Sequence, residues 1–219
     1  MELVNEVSVR GRIIGWTKDA YGRNRLTIYI NDNKQKPAYV KFVVDRDVDI
    51  SGFEVKDHVR IAGFCRAYGF YNESLGKPSY NQYFVAQTIE KDTTELEEKF
   101  GMAGRYYNTP FFRMYTKGIV ESIIDTGNER WKKLKVRTCS HGIDQRQSTI
   151  TFSYYTGGDL PECSYKRGDI VCLSASVSTP QKDMNGQKVS FENLTIEDIV
   201  LAEDAYVPKV TEFDARSVS

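Results

Sequence analysis

Histidines, paired cysteines and long apolar runs are scarce in this chain of 219 residues. Its two histidines, His58 and His141, and its four cysteines, none in a CxxC pair, offer no spaced ligand set for zinc, so we expect no metal and no cofactor. No run approaches the ~18 apolar residues of a membrane span, and the first ten residues lack the apolar core of a signal peptide. The sequence therefore predicts a soluble, cytoplasmic protein with reduced cysteines and no membrane partner.

Motifs of catalysis are missing as well. The chain has no GxSxG, no glycine-rich phosphate loop and no carboxylates clustered at nuclease spacing. Asp45, Asp47 and Asp49 alternate, but they follow a predicted strand and are typical of a solvated strand end. We therefore expect a protein that is not an enzyme.

Excess charge of one sign is absent from the whole chain, with 30 basic and 30 acidic residues, yet it is present locally. Residues 10–41 contain eight basic and two acidic side chains, a net charge of +6, and residues 113–137 contain seven and three, a net charge of +4. Because local fields concentrate a polyanion, a neutral total does not exclude a nucleic-acid partner.

Period-two alternation and β-branched or aromatic residues predict ten strands in two sets of five. The first set is Val7–Thr17, Arg25–Asn31, Tyr39–Asp45, Val59–Tyr71 and Tyr83–Glu90. The second set is Tyr115–Asp125, Trp131–Cys139, Ser148–Tyr155, Asp169–Ser178 and Val189–Ile196. Turn-forming stretches such as NDNKQKP and NESLGKPSYN separate the strands.

Landmarks recur in the same order in both sets and indicate an internal duplication of about a hundred residues. Gly11 pairs with Gly118, Phe42 with Phe152, the segment DHVRI with DIVCL, and Phe84 with Phe191, at separations of 107, 110, 112 and 107 residues. We expect Phe42, Phe64, Phe84 and Phe191 to be core residues.

Five short strands with a longer gap before the fourth favour a small closed barrel over an open sheet. The predicted fold is all-β, two tandem five-stranded OB-fold barrels joined by a short linker in which TELEEK indicates a helix. The expected domains are residues 1–91 and 102–201, with the linker at 92–101 and a mobile tail at 202–219.

Four stretches of the first unit carry a resemblance to a known family: NEVSVRGRIIG on the predicted first strand, VKFVVD on the third, VKDHVRIAGF on the fourth and FVAQTIE on the fifth. Through them the unit resembles bacterial and phage single-stranded DNA-binding proteins. The resemblance implies binding of single-stranded DNA without strong sequence preference, in replication, recombination or repair. Two units in one chain, and an ending DARSVS in place of an acidic, phenylalanine-tipped tail, favour a phage or viral member, in the host cytoplasm.

Basic side chains interleaved with aromatic ones are what a single strand requires, because phosphates pair with cations and exposed bases stack on rings. Both occur on the predicted strands 1 to 3 and on the hairpin between strands 4 and 5, which form the ligand face of an OB-fold. The candidate nucleic-acid-binding residues are Arg10, Arg12, Trp16, Lys18, Tyr21, Arg23, Arg25, Tyr29, Tyr39, Lys41, Arg66, Tyr68, Phe70, Tyr71, Tyr80, Arg113, Trp131, Lys133, Lys135 and Arg137.

Alternatives stay open at this point. Trp16, Tyr29 and Trp131 are as well suited to filling a barrel as to stacking on a base. The hairpin of the second unit, residues 180–188, has no aromatic residue, which predicts weaker binding there or a role in assembly. Two OB barrels that dock replication or recombination proteins, an RNA-binding OB protein, and a homo-oligomer are also compatible with the sequence.

Overall fold

The computed structural model describes residues 2–19, 21–31, 36–73, 76–93, 98–101, 104–107, 110–140, 146–160, 162–184 and 187–202. The strands are β1 (Val4–Lys18), β2 (Asn24–Ile30), β3 (Ala38–Val44), β4 (His58–Asn72), β5 (Lys77–Lys91), β6 (Glu98–Gly101), β7 (Gly104–Tyr107), β8 (Phe111–Asp125), β9 (Trp131–Cys139), β10 (Gln147–Tyr155), β11 (Ile170–Ser178), β12 (Gln181–Met184), β13 (Gln187–Ser190) and β14 (Asn193–Leu201). No helix in the described part of the chain is long and apolar enough to cross a membrane.

Strands β1 to β5 form a closed ring. The pairing order is β1-β2-β3-β5-β4, and β4 pairs again with β1. All contacts between neighbours are antiparallel except β3 with β5, which is parallel. This is the five-stranded OB-fold barrel that the sequence predicted, and it places the face of β2 and β3 beside the β1–β2 loop and the β4–β5 hairpin.

Strands β8, β9, β10, β14 and β11 close a second ring in the same order. The register irregularities recur at matching places, between Ile13 and Gly15 on β1 and between Val120 and Ser122 on β8. An irregularity after Ala62 on β4 has its counterpart after Ser174 on β11. Bulges are specific local features of a sheet, so their repetition supports the predicted duplication.

Gly11 and Gly118, the first pair of landmarks, are glycines for the same physical reason. A Cβ on Gly11 would lie 2.7 Å from the carbonyl oxygen of Tyr29, and a Cβ on Gly118 would lie 2.7 Å from that of Arg137. Both distances are too short for a side chain, so each barrel needs glycine where its first strand crosses close to its second.

The two rings join through β1 and β8, which pair antiparallel from Val4 opposite Lys117 to Arg10 opposite Phe111. Val7 lies opposite Met114 at the centre of this pairing, and both side chains are fully buried. A single buried cluster contains residues of both rings, among them Phe84 and Phe112, whose ring centroids are 5.2 Å apart. The core is therefore continuous from one barrel to the other.

Three core predictions are confirmed and one is wrong. Phe42, Phe64 and Phe84 are 0%, 4% and 1% exposed, whereas Phe191 is 45% exposed and precedes β14. The register explains the error, because Ser153 pairs with Thr195 and thus sets Leu194, which is fully buried, at the position of Phe84. The offset between the units is 110 residues at this strand, not 107.

The predicted linker helix is not observed where the structure describes the linker. Glu98–Gly101 is the strand β6, which pairs with β7, and residues 94–97 lie outside the described residues. The backbone groups of β6 are satisfied by β7, a strand that lies after the predicted linker. Helix propensity within the linker cannot reveal this pairing. The predicted mobile tail also lies outside the described residues from position 203 onward.

Two side chains at equivalent positions form hydrogen bonds between the barrels. The amide of Gln82 donates to the carbonyl oxygen of Thr151 (3.3 Å) and accepts from its N–H (3.1 Å). In the other direction the carboxylate of Glu192 accepts from the N–H of Lys41 (3.3 Å). Gln82 lies two residues before the buried Phe84, and Glu192 lies two residues before the buried Leu194. The contact is therefore repeated in both barrels, with an amide in the first and a carboxylate in the second.

This difference gives a testable prediction for Glu192→Gln. The amide supplies a donor for the Lys41 carbonyl oxygen, as Gln82 does for Thr151, and one added hydrogen bond stabilises the fold by about 0.5–1.5 kcal/mol. Gln82→Glu should have the opposite effect, since it removes a donor and brings a carboxylate to the Thr151 carbonyl. Urea denaturation measures both changes; a destabilised Glu192→Gln protein would contradict the equivalence of the two contacts.

Candidate nucleic-acid interface

Alternation on β2 and β3 separates core from surface as predicted. Leu26, Ile28 and Ile30 are buried, while the side chains between them face outward. At one end of this outer face the Tyr29 ring lies 5.4 Å from that of Tyr39, which is 47% exposed, and the Arg12 guanidinium lies over Tyr29 at 5.5 Å. We call these three residues, with the exposed Lys41, the stripe.

At the other end of the same face lies a groove of about 300 Å³. Three elements meet there, namely the β1–β2 loop, the strands β2 and β3, and the β4–β5 hairpin. The side chains that line the groove are Asp19, Tyr21, Arg23, Arg25, Val43, Tyr68, Asn81 and Tyr83. Lys41 and Val43 are two residues apart on β3, so the stripe begins about 7 Å from the groove.

Asp19 organises the β1–β2 loop. Its carboxylate accepts hydrogen bonds from the N–H groups of Tyr21 and Arg23, both at 2.9 Å, and from Nε of Arg23 at 2.7 Å. Desolvation opposes ionisation, but these hydrogen bonds outweigh it and lower the pKa of Asp19. The loop is therefore held by an ionised aspartate that also aims Arg23 into the groove.

Aromatic side chains form the walls of the groove. The Tyr68 and Tyr83 rings meet edge to face, with centroids 5.7 Å apart, and Asn81 donates a hydrogen bond to the Tyr68 hydroxyl (3.3 Å). Arg23 lies between two rings, 5.5 Å from Tyr21 and 5.9 Å from Tyr83. Tyr21 and Tyr68 are 85% and 49% exposed, so flat surfaces remain open to a ligand.

Arg25 is the cation of the groove without an acidic partner in the described part of the chain. Its Nε atom is buried and has no hydrogen-bond acceptor there, and the same is true of Nε of Arg12 in the stripe. Arg25 lines the groove and Arg12 lies over Tyr29, and no carboxylate in the described residues pairs with either guanidinium, so both sites favour an incoming anion. An anionic oxygen at Arg25 would lie next to the rings of the groove.

The β4–β5 hairpin divides its predicted stacking residues between two faces. Tyr68 and Phe70 are neighbours, with ring centroids 6.0 Å apart, whereas alternation along β4 turns Tyr71, which is 64% exposed, to the opposite face. All three rings are exposed, as expected, but only Tyr68 lines the groove. Tyr80 lies on β5, and its side chain is outside the described part of the structure.

Arg10 is a correction to the predicted set. Its side chain is 4% exposed and makes a two-pronged ion pair with Asp92, whose own side chain is 1% exposed and lies 3.5 Å from Arg60. A guanidinium enclosed in this way cannot reach a phosphate in solution, so Arg10 serves the fold. Trp16 packs against the buried core, which favours filling of the barrel over stacking on a base.

Several predicted residues are not among the side chains that line the groove. Lys18 is exposed at the end of β1, and Arg66 lies over the Phe64 ring at 5.0 Å. Arg113 is half-buried opposite Ser8, in the pairing that joins the barrels.

The second barrel presents basic residues that are largely occupied. Nζ of Lys133 donates to Ser153 (2.5 Å) and Asn193 (3.1 Å), and desolvation lowers its pKa. Arg137 pairs with Glu121 (3.1 Å) and also donates to Gln147. Lys135 faces outward between them on β9, while Trp131 packs on Tyr155 with ring centroids 4.8 Å apart. This face therefore has less free charge than its counterpart.

Four residues of the groove were missing from the predicted set, namely Asp19, Val43, Asn81 and Tyr83. The sequence held a signal for Tyr83: since Phe84 was expected in the core, alternation required Tyr83 to face outward. Asp19 and Asn81 gave no comparable signal, because their roles depend on the loop and on Tyr68.

The strand order and the groove together define a protein of the OB-fold class. Among solved structures, the chain is similar to the wild-type single-stranded DNA-binding protein from Thermus aquaticus, with a TM-score of 0.55, 8% identity, and 97% of this chain and 99% of that chain covered. A deletion mutant of the same protein gives a TM-score of 0.54 and 9% identity over 95% and 98%. No family model and no curated protein matches the sequence.

The structural match extends over both barrels of this chain.

Proposed function

We propose that the chain binds single-stranded DNA through the groove and the stripe of its first barrel, without strong sequence preference and without a catalytic step. The observation that carries this proposal is the meeting of Tyr21, Tyr68 and Tyr83 with Arg23 and Arg25 in one groove of about 300 Å³. The likeness of the whole chain to a single-stranded DNA-binding protein adds support.

The chemistry of the groove fits an unpaired strand better than a duplex. Rings stack on the open faces of unpaired bases, which a duplex hides, and each stack contributes roughly 1–3 kcal/mol. Cations without acidic partners receive the phosphates, and the released counterions make binding weaker as salt rises. The stripe, with Arg12, Tyr29, Tyr39 and Lys41, continues both kinds of contact along β2 and β3.

The cellular setting that we propose is replication, recombination or repair in the cytoplasm, where single strands are exposed. A phage or viral source remains a prediction from the sequence, as do protein partners and a homo-oligomer. The second barrel, with its cations largely occupied, contributes less to phosphate binding than the first.

A titration of labelled oligo(dT), duplex DNA and RNA of equal length, at two salt concentrations, tests the proposal. We expect the single DNA strand to bind at least 100-fold more tightly than the duplex, with affinity falling as salt rises. Equal affinity for duplex and single strand, or no binding, would falsify it. Tighter binding of RNA would assign the same groove to an RNA-binding OB protein instead.

Arg25→Gln removes the cation without an acidic partner and provides a further prediction. One charge-assisted contact is worth about 1.5–3 kcal/mol, so affinity for a short oligo(dT) should fall by roughly 10- to 100-fold. The slope of log affinity against log salt should shrink by about 0.7, the value for one phosphate on a single strand. Lys133→Gln, at the equivalent position of the second barrel, is the control, and an equal loss there would contradict the assignment.

A further inference from the structure

Phe191 is a large apolar side chain left 45% exposed beside the junction of the two barrels. Its neighbours fix its place. Glu192 bonds to the N–H of Lys41 on β3, and Thr179 accepts a hydrogen bond from the N–H of Tyr39 (3.1 Å). The N–H of Phe191 in turn donates to the carbonyl oxygen of Pro180 (3.3 Å), so the base of the second hairpin lies against the stripe.

The register gives Phe191 a counterpart in the first barrel. Leu194 takes the position of Phe84, so Phe191 takes that of Asn81, which lines the groove. Asn193, two residues beyond Phe191, bonds to Lys133 and Ser153 on the outer face of the second barrel. Phe191 thus stands between the stripe of the first barrel and the equivalent face of the second.

The Phe191 ring is not part of the buried cluster, so its exposed surface is available to a ligand. The residues around Phe191 indicate which ligand this is. Tyr39 and Lys41 on the neighbouring strand β3 are exposed, and a ring beside a cation suits an unpaired nucleic-acid strand.

We propose that Phe191 is a stacking residue at which a single strand passes from the stripe of the first barrel to the outer face of the second. This inference rests on the proposed function, and it adds that the strand follows one track across both barrels. A short oligonucleotide that fills only the groove does not reach Phe191, whereas a long one does.

The experiment compares oligo(dT) of about 6 and about 30 nucleotides, since one OB-fold covers about 4–16. Phe191→Ala should weaken binding of the long oligonucleotide by roughly 5- to 100-fold, the effect of one lost stack, and leave the short one unchanged. Phe191→Leu keeps an apolar side chain but has no π face, so it should lose as much affinity for the long oligonucleotide. Phe191→Tyr should bind as the unchanged protein does.

Val200→Ala, at an exposed apolar residue near the far end of β14, is the matched control and should change neither affinity. Full affinity of Phe191→Leu for the long oligonucleotide, or equal losses at both lengths, would overturn the inference. If the unchanged protein binds neither oligonucleotide, the proposed function itself fails, and that result is distinct from either of these.

Discussion

Replacing Tyr68 and Tyr83 together by alanine should weaken binding of oligo(dT) by about 30-fold or more. Both rings line the groove, and two stacks of at least about 1 kcal/mol combine to that factor. Tyr68 is 49% exposed and neither ring belongs to the buried cluster, so little core packing is lost. Fluorescence anisotropy measures the affinity, and thermal unfolding measures the stability, which should change little.

Tyr71→Ala is the control for this double substitution. Tyr71 is more exposed than Tyr68 but lies on the opposite face of the hairpin, so its loss should leave affinity unchanged. If Tyr71→Ala lost as much affinity as the double variant, the DNA would contact the face of β4 opposite to the groove. A large loss of stability in the double variant, with affinity kept, would show that both rings serve the fold.

Asp92→Asn should lower the free energy of unfolding by about 3–5 kcal/mol, the cost of leaving a buried charge without its partner. Arg10 and Asp92 are almost fully enclosed, so the amide leaves the buried guanidinium without the negative charge that balances it. Affinity for single-stranded DNA, measured where the variant is fully folded, should not change. Chemical denaturation with urea provides the stability measurement.

Asp125→Asn is the matched control, since Asp125 pairs with Lys132 at 3.7 Å but is 86% exposed. Surface pairs of this kind contribute about 0–1 kcal/mol. If Asp92→Asn were as stable as Asp125→Asn while DNA affinity dropped, Arg10 would belong to the binding surface after all.

The strands could be predicted because their signal is local. Alternation on β2 and β3 depends on neighbouring residues, and so does the buried state of Phe42 and Phe84. The closing pairs of the barrels, β1 with β4 and β8 with β11, followed from the number of strands and the need to avoid open edges.

Arg10 and Phe191 show where local signals end. Arg10 has the same alternation and composition around it as Arg12, but it is buried through Asp92, 82 residues away, and through the pairing of β1 with β4 and β8. Matching identical residues at an offset of 107 places Phe191 in the core, but loops of different length move the register to an offset of 110 residues. The two barrels thus share a backbone plan while their surfaces differ, and the surface decides what each can bind.

Photo-cross-linking tests the central claim most directly, with an oligonucleotide that carries 5-iodouracil and with mass spectrometry to find the attached residues. We predict cross-links to Tyr21, Tyr68 and Tyr83, the rings of the groove. Cross-links confined to Tyr71, or to the second barrel alone, would contradict the account.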